Sequence, residues 1–179
     1  QQCGNVNWGT YNTGIRPGTV RLWTWHALAS GAEAVLYFRW RAGLYAQEQF
    51  HSGLLHHDAS PAVGLADLET MKADRPLMSD VSSAAHEARI ALLLDYGSLW
   101  AVQLQPHHRD FDYLRHLFVY YHALQRMGLP VDVVSVNADL SPSKLVIAPS
   151  PSRATEGLST SLQSFAAAGG MALLGVRSG

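Results

Sequence analysis

The apolar run "EARIALLLDY" at residues 87–96 constrains the fold of this 179-residue chain more than any other stretch. Its apolar residues are nearly continuous rather than alternating, as in a strand that is covered on both faces of a parallel sheet. After a polar connection, residues 111–128 repeat large apolar side chains at helical spacing: Leu114, Leu117, Phe118, Tyr121, Leu124 and Met127. The strands "VDVVSV" and "KLVIAPS", the helix "LSTSLQSFAAAGG" and the strand "MALLGV" follow. This order predicts a doubly wound parallel α/β sheet.

The first 80 residues follow a different pattern. A Gly- and Asn-rich loop leads to a helix predicted at 20–31, which Gly31 should end, and then to "EAVLYFRWR", predicted as a buried strand. A long polar loop follows, and residues 61–83 predict a short helix that breaks at Pro76. Helix, strand and long loop in succession are typical of one rung of a (β/α)8 barrel. We place the boundary near residues 78–86, which divides the chain into 1–80 and 81–179.

Composition excludes several classes of function. The net charge is −1 and basic residues form no block, so a nucleic-acid partner is not expected. No apolar run approaches the ~20 residues that span a bilayer, so no membrane segment is expected. Cys3 is the single cysteine, which excludes an internal disulfide and a multi-cysteine zinc site. Neither end has an initiator Met or a signal peptide, and we expect the chain to be an internal piece of a longer protein.

The polar loop contains "YAQEQFHSGLLHHD", in which Glu48 stands three positions before His51. Three interpretations remain open: Glu48 and His51 bind a metal ion, they form a solvated pair without a function, or they hydrogen-bond to a sugar. A di-iron bundle needs two such motifs and two further Glu residues, and one motif is visible. Aromatic rings beside short polar side chains are how proteins hold a pyranose. Trp8, in an Asn- and Gly-rich loop, and Phe38 could supply those rings, although Trp8 could equally be a core residue.

Other conspicuous residues have simpler explanations. Arg39 and Arg41 share one face of an extended segment, where they could pair with carboxylates or contact substrate. Neither His pair has the further ligands of a tetrahedral metal site, so we expect exposed loop residues and no metal at His56, His57, His107 and His108. Three more residues are expected to pack or to end a helix, namely Trp23, Trp25 and the first glycine of Gly169–Gly170.

The stretches "QQCGNVNW", "RLWTWHALASGAEAVLYFRWR" and "AQEQFH" resemble the C-terminal part of the barrel in glycoside hydrolase family 42, the microbial β-galactosidases. The second half resembles that family's next domain, a flavodoxin-like or class I amidotransferase-like α/β domain that builds a trimer. Two departures stand out, His26 where Glu or Gln is expected and Cys3 where Pro or a small residue is expected. Neither position should touch substrate.

The resemblance implies a retaining β-galactosidase that acts on terminal β-D-galactosyl residues without a cofactor. It places Trp8, Phe38, Glu48 and His51 around the galactose subsite, with Trp8 stacked on the sugar. It places the nucleophilic Glu immediately before Gln1 and the general acid further upstream, so this chain holds no catalytic residue and should not turn over substrate alone. Any zinc site of the family would use cysteines outside this chain.

A second hypothesis makes the α/β half the functional unit. An amidotransferase needs a nucleophilic Cys at a strand end, and none is present there; Ser150 and Ser152 lack a G-x-S-x-G setting. A non-catalytic scaffold that binds its own copies, a homotrimer by resemblance, fits better. The lack of disulfides favours a cytoplasmic location.

Overall fold

The computed structural model describes residues 1–6, 8–84, 87–106, 108–153, 155–176 and 178. The chain forms two compact units, Gln1–His86 (unit 1) and Glu87–Gly179 (unit 2). In the described part of the chain, no helix is long and apolar enough to cross a membrane.

Unit 1 contains three α-helices: α1 (Thr19–Ala29), α2 (Val63–Met71) and α3 (Arg75–Ser83). The predicted end of α1 is confirmed, because Gly31 has φ 90° and Ala32 donates to the carbonyl of Ala27 at 3.0 Å. The predicted break at Pro76 needs correction. A 3-10 turn, Lys72–Asp74, interrupts the helix first. Pro76 then lies in the first turn of α3, where the missing N–H of a proline has no helical partner to lose.

The beginning of α1 is capped from another helix. Its N-cap residue is Gly18, which has no side chain to offer. The buried Asp67 of α2 supplies the cap instead. Its carboxylate accepts hydrogen bonds from the N–H groups of Gly18 at 2.7 Å and Val20 at 2.9 Å. The prediction that Trp23 and Trp25 are packing residues holds only for Trp25, which is half-buried and donates its indole N–H to Asp74 at 3.1 Å; Trp23 is exposed.

The prediction of a buried strand at residues 33–41 is wrong in its burial. The segment is extended and pairs through two isolated parallel bridges among the described residues, Phe38 with Gln2 and Arg41 with Leu55. Its side chains alternate, so that Tyr37 is half-buried while Leu36 and Trp40 are exposed. A strand becomes buried on both faces only when it lies inside a covered sheet, and the described residues supply only these two short bridges here.

Unit 2 confirms the doubly wound sheet. Its four parallel strands are β1 (Ile90–Leu94), β2 (Asp132–Ser135), β3 (Leu145–Ala148) and β4 (Met171–Leu174). Their order is β2-β1-β3-β4, with Leu92 opposite Val133 on one side and Ile147 on the other. The central strand is therefore the apolar run that the sequence marks most strongly.

Helices α5 (Tyr113–Arg126) and α6 (Glu156–Ala167) belong to two separate cores of the sheet. Leu124 of α5 packs with Leu92 in one core, whereas Leu158 and Phe165 of α6 pack with Leu93 in the other. The predicted glycine stops are confirmed, because Gly128 and Gly169 follow these helices with positive φ.

Helix α4 (Tyr96–Leu104) lies where a polar connection is predicted, and that prediction is wrong. Asp95 at the end of β1 accepts hydrogen bonds from the N–H groups of Gly97 at 3.0 Å and Ser98 at 3.1 Å, which is a regular N-cap. Leu99 and Val102, three positions apart, are then buried on one face of the helix.

Candidate functional site

Two of the expected sugar contacts, Trp8 and His51, touch directly. Their ring centroids are 4.8 Å apart and the ring planes meet at 70°. His51 is only 3% exposed, whereas Trp8 is 74% exposed. A buried ring in an edge-to-face contact restrains the indole and leaves most of it open for a flat apolar ligand.

Glu48 lies in the same turn as His51. The N–H of His51 donates to the main-chain carbonyl of Glu48 at 3.0 Å, and Gln49 donates to Ala46, which has φ 76°. The Glu48 side chain is 43% exposed, and its Oε2 is 3.5 Å from Nη1 of Arg39. Nη2 of Arg39 donates to the main-chain carbonyl of Glu48. Among the interpretations open for Arg39, pairing with a carboxylate is therefore confirmed.

Phe38 joins this group through Arg39. The guanidinium carbon of Arg39 lies 5.2 Å from the centroid of the Phe38 ring, within the range of a cation–π contact. The N–H of Phe38 donates to the carbonyl of Gln1 at 2.9 Å, and its side chain is 42% exposed. The peptide bond between Phe38 and Arg39 is cis.

The four residues singled out from the sequence are thus linked by contacts. The links run from Trp8 to His51, from His51 to Glu48, and from Glu48 through Arg39 to Phe38. We call these five residues the Arg39 cluster. The sequence indicated that Arg39 could pair with a carboxylate, but not that it connects the aromatic and acidic members of the cluster. Asn7, expected beside Trp8, lies outside the described residues.

Close backbone packing holds the loop of the cluster. A Cβ at Gly53 would lie 2.6 Å from the backbone nitrogen of Ala42, and a Cβ at Gly4 would lie 2.3 Å from the side chain of Ser52. Leu54 also donates to the carbonyl of Arg39 at 2.7 Å. The glycines let the returning loop lie directly against the extended segment.

Cys3 lies behind the cluster and is fully buried. Its Sγ donates to the carbonyl of Phe38 at 3.2 Å. Burial raises the pKa of the Cys3 thiol above its ordinary value, and the hydrogen bond with Arg39 opposes this only in part. A protonated, buried thiol is a packing residue rather than a nucleophile.

No group of three His, Cys, Asp or Glu side chains that could hold a metal ion occurs among the described residues. His56, His57 and His108 are exposed, as expected, and His107 lies outside the described residues. Arg41 pairs with no carboxylate in any described contact, because its guanidinium donates to the carbonyl of His57 instead.

The strand ends of unit 2 hold no serine–histidine pair among the described residues. The hydroxyl of Ser150 donates to the carbonyl of Val176 at 3.1 Å. Nε2 of His116 lies 3.2 Å from the carbonyl of Pro149, which can only accept. Both groups are engaged with main chain, so Ser150 and His116 do not form a nucleophile–base pair in the described part of the chain.

Unit 1 joins helices, an extended segment and a long loop that carries the Arg39 cluster, and unit 2 is a doubly wound α/β domain. Residues 1–75 match the family model described as "Beta-galactosidase", and residues 88–179 match the model described as "Beta-galactosidase trimerisation domain". The chain belongs to glycoside hydrolase family 42, the β-galactosidases.

Individual relatives agree along the whole chain. The β-galactosidase Bga of Halorubrum lacusprofundi is 43% identical over all of this chain, which spans 25% of that protein. BgaA of Thermus sp. is 42% identical, and the chain spans 27% of it. The crystal structure of a β-galactosidase from Bacillus circulans sp. alkalophilus matches with TM-score 0.89 at 32% identity, covering 100% of this chain and 27% of that one. This chain therefore spans about a quarter of the length of these relatives.

Proposed function

We propose that this chain works as part of a retaining β-galactosidase that hydrolyses terminal β-D-galactosyl residues. Residues 1–80 would contact the galactose, and residues 81–179 would assemble a homotrimer; this division lies between the two matched ranges, which end at 75 and begin at 88. The observation that carries the proposal is the Arg39 cluster, which links two exposed aromatic side chains to a half-exposed carboxylate in a chain of this family.

The chemistry of the cluster suits a pyranose. The indole of Trp8 can cover the apolar face of the sugar, and Phe38 adds a second apolar surface. The Glu48 carboxylate can accept hydrogen bonds from ring hydroxyls, because the contact with Arg39 involves Oε2 and leaves Oε1 available within the described part of the chain. His51 adds an imidazole beside Trp8.

The catalytic carboxylates would come from residues outside this chain. The amino group of Gln1 donates to the carbonyl of Leu36 at 2.7 Å, and the carbonyl of Gln1 accepts from Phe38 at 2.9 Å. A glutamate joined to Gln1 would therefore lie alongside the segment that holds Phe38. A retaining mechanism needs a second carboxyl about 5 Å from this nucleophile, to act as acid and base.

Hydrolysis of a chromogenic β-galactoside tests the proposal. The complete enzyme should be active, whereas the isolated 179-residue chain should not be. In the complete enzyme, Glu48→Ala should lower kcat/KM by roughly 100-fold, since a hydrogen-bonding carboxylate facing the substrate is lost. Gln47→Ala, an exposed neighbour in the same loop, should keep the activity. Turnover by the isolated chain, or equal activity of both variants, would contradict the proposal.

The second part of the proposal concerns assembly, and it would stand even if residues 1–80 had another role. Helix α5 leaves apolar side chains exposed, including Leu114, Phe118 and Val119, and such surface favours contact with another copy. Light scattering should give a trimer for the complete protein and smaller species for Phe118→Glu. The matched change Gln163→Glu on α6 should keep the trimer. A monomeric complete protein would refute this part.

A cytoplasmic location remains part of the proposal, supported by the single cysteine.

A further inference from the structure

We infer that Arg39 is a positioning residue, which orients Glu48 for contact with the sugar and, through the same turn, holds His51 against Trp8. The inference rests on the proposed function, because it concerns the orientation of side chains that are proposed to bind galactose. Its basis is the geometry of two arginines on the extended segment, Arg39 and Arg41.

Arg39 holds Glu48 at two points. Nη2 donates to the main-chain carbonyl of Glu48, and Nη1 lies 3.5 Å from the carboxylate Oε2. A main-chain contact alone would fix the turn but leave the carboxylate free to rotate. Two contacts from one planar guanidinium fix both, and a lysine ammonium cannot reproduce that fork.

The carbonyl that Arg39 binds also accepts the N–H of His51 at 3.0 Å. His51 in turn contacts the ring of Trp8. Substitution of Arg39 therefore removes a hydrogen bond that fixes the turn with Glu48 and His51. A shift of His51 would also move the ring of Trp8, which it contacts.

Arg41 restrains Gln49, the residue that follows Glu48 in the same turn, through His57. Its guanidinium donates to the carbonyl of His57, and Nε2 of His57 is 2.6 Å from the carbonyl of Gln49. Because a carbonyl only accepts, Nε2 of His57 carries the hydrogen. Glu48 and Gln49 are consecutive, so the two arginines restrain adjacent residues of one turn.

The contacts of Arg39 are arranged poorly for stability alone. Its Nε is buried and has no partner among the described residues, which is unfavourable for a buried donor. The ion pair with Glu48 is long, and the carboxylate is 43% exposed, so water screens it. By contrast, Arg21 and Asp74 form a two-bond pair at 2.7 and 3.1 Å. Arg21 therefore offers a matched control, an arginine of unit 1 with a structural task.

The test measures kcat/KM and thermal unfolding in the complete enzyme. Arg39→Met should lower kcat/KM by roughly 10- to 100-fold, as expected when contact groups shift by about 1 Å. Arg39→Lys, which keeps the charge, should restore part of the loss and also covers the case in which Arg39→Met does not fold. Arg21→Met should lower the unfolding temperature and leave kcat/KM within about 2-fold of the unsubstituted enzyme.

A double-substitution cycle with Glu48→Ala separates positioning from general damage. Substitution of Arg39 lowers kcat/KM by a certain factor in the otherwise unsubstituted enzyme. In the Glu48→Ala background this factor should be at least about threefold smaller, because coupled residues are non-additive. An equal factor in both backgrounds, or unchanged kcat/KM in both Arg39 variants, would overturn the inference and leave the proposed function standing. Unchanged kcat/KM in Glu48→Ala itself would overturn the proposed function, and the inference with it.

Discussion

Replacing Asp67 with asparagine should destabilise unit 1 although the side chain keeps its shape. The carboxylate of Asp67 is the cap of α1, with two short bonds, Oδ1 accepting from Gly18 and Oδ2 accepting from Val20, and a longer one from the N–H of Arg21 to Oδ2 at 3.4 Å. An amide has one accepting oxygen and one donating nitrogen. Either orientation of the substituted amide would thus set an NH2 group against a backbone N–H that has lost its acceptor.

The magnitude follows from these two bonds, at 2.7 and 2.9 Å. A hydrogen bond to a charged group contributes about 1.5–3 kcal/mol. A negative charge at a partly buried helix N-terminus adds up to ~2 kcal/mol. Asp67→Asn loses one bond and the charge, so we expect a loss of about 2–3 kcal/mol. Asp67→Ala loses both bonds and should cost about 3–5 kcal/mol, a large part of the ~5–15 kcal/mol that stabilises a domain.

Urea unfolding followed by tryptophan fluorescence measures this loss. The measurement uses the 179-residue chain, in which Trp100 lies in unit 2 and the other four tryptophans lie in unit 1, so the signal reports mainly on unit 1. Glu69→Gln is the matched control, since Glu69 lies on the same helix but is exposed and pairs with Lys72 at the surface. It should change stability by less than ~0.5 kcal/mol. If Asp67→Asn behaved like Glu69→Gln, the cap would contribute nothing measurable and the reasoning would be wrong.

Two further predictions concern packing and pH. Gly170→Ala should destabilise unit 2 by about 1–3 kcal/mol, because the new Cβ would lie 2.3 Å from the buried ring of Phe165. Gly157→Ala is the matched control on α6. It has open space around it and should instead stabilise the helix by up to ~1 kcal/mol. The hydrogen bond from Arg21 holds the pKa of Asp74 in the folded protein below its ordinary value of 3.8. The pair of Asp74 and Arg21 therefore stabilises the fold fully above pH 3.8, and this contribution is lost as the pH falls through the lower pKa of the folded protein. Thermal unfolding across this range should be less pH-dependent in Asp74→Asn, and an unchanged slope would count against the ion pair.

The sequence predicted unit 2 well because its signals are local. A continuous apolar run such as β1 is compatible with burial on both faces almost regardless of its neighbours, and Gly128 and Gly169 end their helices through their own backbone freedom. Helix α4 was missed although a local signal existed, since Asp95 precedes a Gly-Ser pair and Leu99 and Val102 follow at helical spacing. Attention to that cap would have found it.

The parts of unit 1 that could not be predicted depend on contacts between distant residues. Asp67 caps a helix that begins 48 positions earlier, and nothing in its local sequence marks it as a cap. The link between Arg39 and Glu48 needs the loop to fold back on the extended segment. The residue types and the family pattern pointed to the candidate site, whereas its internal connections required the structure.

The close approach of Gly53 to Ala42 has a practical meaning for redesign of this loop. Leu44 and Tyr45 precede the turn in which Gln49 donates to the carbonyl of Ala46, and both are largely exposed. Substitutions at positions 44 and 45 replace exposed side chains, whereas a side chain at position 53 would collide with the backbone of Arg41 and Ala42. Libraries that vary this loop should therefore randomise positions 44 and 45 and keep Gly53 fixed.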